Sequence, residues 1–142
     1  MRFMIIVKAT KESETGATPS PEMIACMGKY NEELTKAGVM LDAAGLRASK
    51  YGARVKFGPG KKPTVVDGPF TEAKELIAGY WMIDVKSLDE AVEWVKRVPN
   101  PTGEEAQIEI RQVFEAEDFD MSPEVAEQNR RLREHVAGQR TP

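Results

Sequence analysis

The sequence is poor in the two residue types that build most disulfides and zinc sites. It has one cysteine, Cys26, and one histidine, His135. A single cysteine excludes an internal disulfide, which is typical of a reducing compartment, so we expect a cytoplasmic protein. No Cys-x-x-Cys or His-x-x-x-His pair is present, so we expect no metal and no cofactor. The simplest interpretations are an exposed tail residue for His135 and a small buried hydrophobe for Cys26.

Long apolar runs and an excess of basic charge are also missing. The N-terminal apolar run, Phe3–Val7, is too short for a secretory segment or a membrane span, so no membrane association is expected. The net charge of −3 gives no basic excess, so we expect no nucleic-acid partner. Phosphate-loop and G-x-S-x-G motifs are absent. What is present, 142 residues with 41% apolar and 30% charged side chains, is typical of one globular domain.

Periodicity and capping signals predict alternating strands and helices. Ser-Pro-Glu at Ser20 and at Ser122 and a capping box beginning at Ser87 mark three helix starts. Residues 9–20 are polar and turn-rich, and we predict a loop there. The helices are expected over 20–38, 87–99 and 122–137, and the strands over 2–8, 39–44, 51–57, 64–66, 76–85 and 107–114, with a hairpin tip at 58–63.

This order predicts an α+β, ferredoxin-like domain with a C-terminal tail helix. We assign residues 1–117 to the domain and residues 118–142 to a helical extension. Helices cover only one face of such a sheet, so the other face meets water, a ligand or a second copy. Its apolar and aromatic strand residues favour a homodimer that stacks two sheets. We expect Tyr80 or Trp81, with neighbours such as Ile83, at that contact.

The stretch VVDGPFTEAKE, Val65 to Glu75, is the strongest candidate for a functional site. Asp-Gly-Pro is favourable turn chemistry, so Asp67 is interpreted either as a turn carboxylate that accepts backbone hydrogen bonds or as a catalytic group. The catalytic interpretation is favoured by position, because a carboxylate at a strand end beside Phe70 would be partly desolvated. Desolvation raises a carboxyl pKa towards the range useful for proton transfer. Lys74 either lies on a solvated charged face or pairs with Asp67.

Basic side chains on the predicted strands are candidates for holding an anionic or polar substrate. Arg54 and Arg111 would bind such a ligand if they point into a shared cleft, whereas cations on strands more often serve solubility. Lys56 is also explained as charge on a hairpin edge. The candidate catalytic residue is thus Asp67, and the candidate substrate-binding residues are Arg54, Lys56, Phe70, Lys74 and Arg111.

Several segments resemble one known family. VVDGPFTEAKELIAGYWMIDVKSLDEAVEWVKRVP resembles the signature of the DGPF subfamily of YciI-like (YCII-related) proteins. GVMLDAAGLRAS and IEIRQV are similar to the segment after its first helix and to its closing strand, and FEAEDF and the tail helix to its longer members. The resemblance implies a dimeric α+β barrel, in which the open sheet face of each ferredoxin-like protomer packs on its partner. It also implies an acidic site residue at the first motif position, here Asp67.

The resemblance leaves the activity open, because that of the subfamily is mostly undefined. One hypothesis is a small-molecule enzyme with Asp67 as general acid or base, catalysing proton abstraction, isomerisation or elimination. The alternative is a non-catalytic ligand-binding or regulatory module linked to sigma-factor-dependent transcription, since genes for such factors often neighbour the subfamily. Some relatives pair a histidine with the aspartate, but the one histidine here is His135, in the tail. The closing strand keeps Arg111 but has Gln112 where the family pattern has proline.

Overall fold

The computed structural model describes residues 1–140, which form six strands and four α-helices. The strands are β1 Arg2–Lys8, β2 Met40–Gly45, β3 Ala53–Gly58, β4 Lys61–Asp67, β5 Ile77–Asp84 and β6 Ile108–Gln112. The helices are α1 Lys11–Glu14, α2 Pro21–Lys36, α3 Leu88–Val95 and α4 Pro123–Gln139, with single 3-10 turns at Ser49–Tyr51, Ala73–Glu75 and Ala116–Asp118.

The three predicted helix starts are confirmed. The hydroxyls of Ser20, Ser87 and Ser122 each accept a hydrogen bond from the backbone N–H three residues further on. These bonds satisfy donors that the first turn of a helix leaves without an intrahelical partner.

Two local predictions are wrong in detail. The segment predicted as a loop contains α1, where Thr10 and Ser13 each bond the backbone N–H of the other. This reciprocal capping stabilises a single turn that has no apolar face, which is why hydrophobic periodicity could not find it. The hairpin tip is also shorter than expected, because β3 runs to Gly58 and β4 begins at Lys61. Gly60 completes the turn at φ +65°, a conformation that favours glycine.

The main sheet has four antiparallel strands in the order β2-β5-β1-β6. β1 lies between two strands that come much later in the chain, while β2 and β6 form the edges. β3 and β4 pair only with each other, and residues 53–67 are called the hairpin below. The order confirms the predicted α+β, ferredoxin-like class.

The core lies between this sheet and helices α2 and α3. Phe3 and Ile5 of β1, Leu34 of α2 and Ile83 of β5 are at most 2% exposed. Ala91 of α3 is completely buried against the same cluster. Removing this apolar surface from water is the main stabilising term of the domain.

Two aromatic residues in this core have polar atoms, and both atoms are hydrogen-bonded. Tyr30 and Trp81 meet edge to face, with ring centroids 5.4 Å apart. The Tyr30 hydroxyl donates to the carbonyl of Trp94 at 2.7 Å, and the Trp81 indole N–H donates to Asn31 Oδ1 at 2.7 Å. The contact between the two rings and these two hydrogen bonds together hold α2 and α3 on the sheet.

The opposite sheet face, called the open face, is the one that α2 and α3 do not cover. Alternation along β1 and β5 places Met4, Ile6, Tyr80 and Met82 on it. The Tyr80 hydroxyl donates to Asp42 of β2 at 3.2 Å.

The expectation for the sheet-to-sheet contact is therefore wrong for Trp81 and Ile83. Both are at most 7% exposed and belong to the helix-covered core. Tyr80, with the opposite strand parity, lies on the open face.

The chain after β6 is tied back to β1 before it enters the tail helix. Arg2 Nε lies 2.9 Å from Glu115 Oε1, and the Arg2 carbonyl accepts the N–H of Val113 at 2.9 Å. Helix α4 is largely exposed, and none of the helices described is long and apolar enough to cross a bilayer. The predicted extension, 118–142, is described to residue 140, so Thr141 and Pro142 lie outside the described residues.

Tyr30 gives a pH-dependent test of the core. Burial raises the pKa of Tyr30 to about 12, whereas a tyrosine in the unfolded chain ionises near pH 10. The stability that neutral Tyr30 contributes is therefore complete below about pH 10 and is lost as the pH rises towards about 12. Tyr30→Phe is expected to cost about 1 kcal/mol of unfolding free energy at neutral pH, through the lost hydrogen bond. In denaturant titrations this deficit should shrink as the pH rises from 10 to 12.

Tyr51→Phe is the matched control, because the Tyr51 ring is 62% exposed. Its unfolding free energy should follow the wild type at every pH. A Tyr30→Phe deficit that stays constant across this pH range would contradict the interpretation.

Candidate functional site

The hairpin stands apart from the main sheet, and every one of its residues is exposed. Its register pairs Ala53 with Asp67 and Val55 with Val65, and since paired residues share a face, these four form one side of the ribbon. This side is called the apolar face, with Asp67 at its base.

Arg54 and Lys56 lie on the other side of the same ribbon. They pair with Val66 and Thr64, one residue out of phase with Asp67. The two basic candidates on the hairpin therefore do not share a face with the candidate catalytic carboxylate.

Asp67 ends β4 as an exposed side chain. Within residues 1–140 its carboxylate accepts no hydrogen bond and forms no ion pair, with Lys74 or any other cation. The turn interpretation predicted that this carboxylate would bond to backbone N–H groups. The structure holds the turn by other means.

The loop after Asp67 is held by backbone contacts to the 3-10 turn at Ser49–Tyr51. The N–H of Gly68 donates to the carbonyl of Gly52 at 3.0 Å, and the N–H of Phe70 donates to Ser49 Oγ at 2.9 Å. A Cβ added at Gly68 would lie 1.8 Å from the Ser49 carbonyl oxygen. Only glycine permits this close approach. The Gly68–Pro69 peptide bond is cis.

Ser49 is itself held by a carboxylate from the short helix α1. Its hydroxyl donates to Glu14 Oε2 at 2.6 Å, and its backbone N–H lies 3.1 Å and 3.2 Å from the two Glu14 oxygens. Glu14, Ser49 and the N–H of Phe70 thus form a chain of hydrogen bonds across three segments. Sequence reasoning missed this chain because no spacing rule links residues so far apart, and the one local signal was the Thr10–Ser13 capping pair that precedes Glu14.

Arg54 and Phe70 are the candidate residues that the structure brings into contact. The guanidinium carbon of Arg54 lies 3.8 Å from the centroid of the Phe70 ring, a cation–π geometry. The ring orients the guanidinium while its N–H donors remain available for an anion.

The remaining candidates lie elsewhere. Lys74 belongs to the 3-10 turn Ala73–Glu75, just before β5. Arg111 lies on the edge strand β6, where it pairs with Glu109 at 3.3 Å. Its register partner is Met4, so Arg111 faces the open face of the main sheet. Within residues 1–140 no described contact joins Arg111 to Arg54, so a cleft shared by the two stays a prediction.

A concave surface of the single chain lies away from Asp67. It runs along α4 and is lined by side chains of that helix alone, including Leu132 and His135. His135 is exposed and lies next to Gln139, with the two side-chain nitrogens 3.2 Å apart. Cys26 is half-buried as a free thiol on α2.

Comparison with known proteins identifies relatives of the chain. The profile of the YCII-related domain matches residues 1–117. An uncharacterised protein of Rhizobium meliloti is 32% identical over 90 residues, which cover 63% of this chain and 68% of that protein. Among solved structures, 5-chloro-2-hydroxyhydroquinone dehydrochlorinase of Burkholderia phenoliruptrix, in complex with 2,5-dihydroxybenzoquinone, matches 84% of this chain and all of its own, at 15% identity and a TM-score of 0.43.

The close approach at Gly68 predicts that Gly68→Ala is destabilising. The added methyl must displace the Ser49 backbone, and overpacking of this kind costs about 1–3 kcal/mol of unfolding free energy. Denaturant titration measures the cost, and amide NMR shifts of Ser49 and Phe70 should report the displaced loop.

Gly52→Ala is the control from the same loop, because its Cβ would lie at an ordinary 3.5 Å from the same oxygen. It should change the unfolding free energy by less than about 0.5 kcal/mol. Equal losses in the two variants would show that the Gly68 contact is not special.

Proposed function

We propose a function on the premise that the chain belongs to the family of YCII-related domains. In this proposal the protein is a small-molecule enzyme, and Asp67 acts as general acid–base in a cleft completed by a homodimer. Within the family we infer the DGPF subfamily from the motif Asp67-Gly68-Pro69-Phe70. We assign this activity to residues 1–117 and regard residues 118–142 as an extension.

The observation that carries the proposal is that Asp67 has no structural task in the chain. The loop conformation depends on Gly68, on the backbone of Gly52 and on the bonds from Ser49 and Glu14. The Asp67 carboxylate takes part in none of these interactions. A carboxylate at a rigidly held strand end, without a partner of its own, is available to exchange a proton with a ligand.

The homodimer supplies what one chain lacks. Val55 and Val65 on the apolar face are 51% and 67% exposed, and the half-buried Met4, Tyr80 and Met82 lie on the sheet face opposite α2 and α3. A second copy packed on these surfaces would bury them and exclude water around Asp67. Exclusion of water favours the neutral form of a carboxyl group and so tunes it for proton transfer.

The chemistry requires proton transfer alone. The Asp67 carboxylate accepts a proton from a C–H or O–H of the substrate, and the resulting acid returns it to another atom of the same molecule or to a departing group. Arg54, held on the Phe70 ring, is proposed to bind an anionic or polar group of the substrate, with Lys56, Lys74 and Arg111 as further cations for this role. No cofactor takes part.

Asp67→Asn should separate chemistry from stability. Since the carboxylate holds no hydrogen bond in the chain, the variant should stay within about 0.5 kcal/mol of wild type in denaturant titrations. Compounds found in a metabolite thermal-shift screen of the wild type should still bind. Their turnover, followed by mass spectrometry, should fall by about 10²–10⁴-fold.

Glu72→Gln removes an exposed carboxylate nearby and should keep full turnover. A stability loss of about 1–3 kcal/mol in Asp67→Asn would instead make Asp67 a structural turn residue. Compounds that bind but that the wild type never converts would support the non-catalytic ligand-binding alternative.

The dimer is tested at the open face. Sedimentation of the wild type at micromolar concentration should give a dimer. Met82→Lys places a charge in the proposed contact and should raise the dimer Kd at least tenfold, about 1.4 kcal/mol. Ile24→Lys, at a 59% exposed position on α2, is the control and should leave the Kd unchanged. A wild type that sediments as a monomer would remove the basis for the closed cleft.

A further inference from the structure

The hairpin combines exposed apolar side chains with unpaired positive charge. Phe57 near its tip is 80% exposed, beyond the exposed valines of the apolar face. The hairpin carries four basic side chains against the single carboxylate of Asp67. Lys56, Lys61 and Lys62 form no ion pair within residues 1–140. A two-stranded ribbon of this kind is marginally stable alone in water, so it is expected to pack on another surface.

A second surface of the chain has the complementary character. Residues 114–120, called the acidic turn, follow β6 and contain four carboxylates and no basic side chain. Phe114 and Phe119 stack there with centroids 4.9 Å apart, yet they are 68% and 51% exposed. The Arg2–Glu115 ion pair fixes the turn to the main sheet. Its position is thus set by the domain and not by the tail helix.

We propose that the hairpin of one copy docks on the acidic turn of a second copy. The inference rests on the proposed homodimer and names its second contact, beside the stacked open faces. Two-fold symmetry makes the docking reciprocal, because each copy offers one hairpin and one acidic turn. Both surfaces are exposed in the single chain, so their apolar side chains are buried only if a second copy packs on them.

The acidic turn is chosen because it combines unpaired carboxylates with the exposed aromatic pair Phe114 and Phe119. On α4, Glu127 and Glu134 are both bonded to Arg130. In the acidic turn, Glu117 and Asp120 have no such partner within residues 1–140. Unpaired acids thus lie beside Phe114 and Phe119, and unpaired lysines lie on the hairpin that carries Phe57. Contact between the two surfaces would bring opposite charges together around a desolvated aromatic centre.

Charge reversal tests the docking directly. Lys61→Glu with Lys62→Glu on the hairpin, or Glu117→Lys with Asp120→Lys on the acidic turn, should each raise the dimer Kd at least tenfold in analytical ultracentrifugation. All four substitutions in one chain restore opposite charges across the contact and should recover most of the affinity. The effect of each reversal should weaken as the salt rises from 50 mM to 500 mM, as screening shortens the Debye length from about 14 Å to about 4 Å.

Lys29→Glu with Lys86→Glu is the control, because it makes the same charge change on exposed positions outside both surfaces. Circular dichroism verifies that each variant is folded. If the wild type is a dimer and its Kd does not change in the charge-reversal variants, the docking is wrong but the open-face dimer is not affected. This result is expected if the hairpin binds another protein. Weakening without recovery in the fourfold variant also overturns the docking. A monomeric wild type overturns both the docking and the proposed dimer.

Discussion

Most features of this protein follow from a sheet whose two core helices, α2 and α3, cover the same face. The helix-covered face buries Phe3, Ile83 and Trp81 and satisfies their polar neighbours within the chain. The other face is not covered by these two helices, and the hairpin exposes both of its sides. These are the surfaces on which the proposed homodimer is expected to pack. We therefore interpret the candidate site as a property of an assembly.

The residues of the Asp-Gly-Pro-Phe motif are explained by different physical requirements. Gly68 is required by sterics, since the Ser49 carbonyl leaves no room for a side chain. Phe70 provides both an N–H for Ser49 and a ring for Arg54. The Asp67 carboxylate makes no hydrogen bond or ion pair within residues 1–140, so the loop does not depend on it. For this reason the proposed function assigns the Asp67 carboxylate to contact with a ligand.

The fold was predictable because its signals are local. Ser20, Ser87 and Ser122 mark the helix starts, and the alternation of strands and helices along the chain predicts the ferredoxin-like class. The order of the strands within the sheet comes from the structure. The orientation of β5 was not predictable, because Tyr80 and Trp81 are adjacent aromatic residues and alternation alone cannot say which one faces the helices. At the site, Asp67 and its turn were visible in the sequence. The Glu14–Ser49 bonds that hold the turn were not, since they join segments that meet only after folding.

The central place of β1 in the main sheet has a consequence for biosynthesis. Its ladder partners, such as Asp84 for Arg2 and Gln112 for Phe3, are translated long after it. On the ribosome this apolar strand therefore stays without its neighbours until nearly the whole domain has emerged, while α2 and the hairpin can form from nearby sequence. Closing such long loops is slow, so the apolar β1 strand is without its ladder partners during much of synthesis, a stage at which unpaired strands favour aggregation.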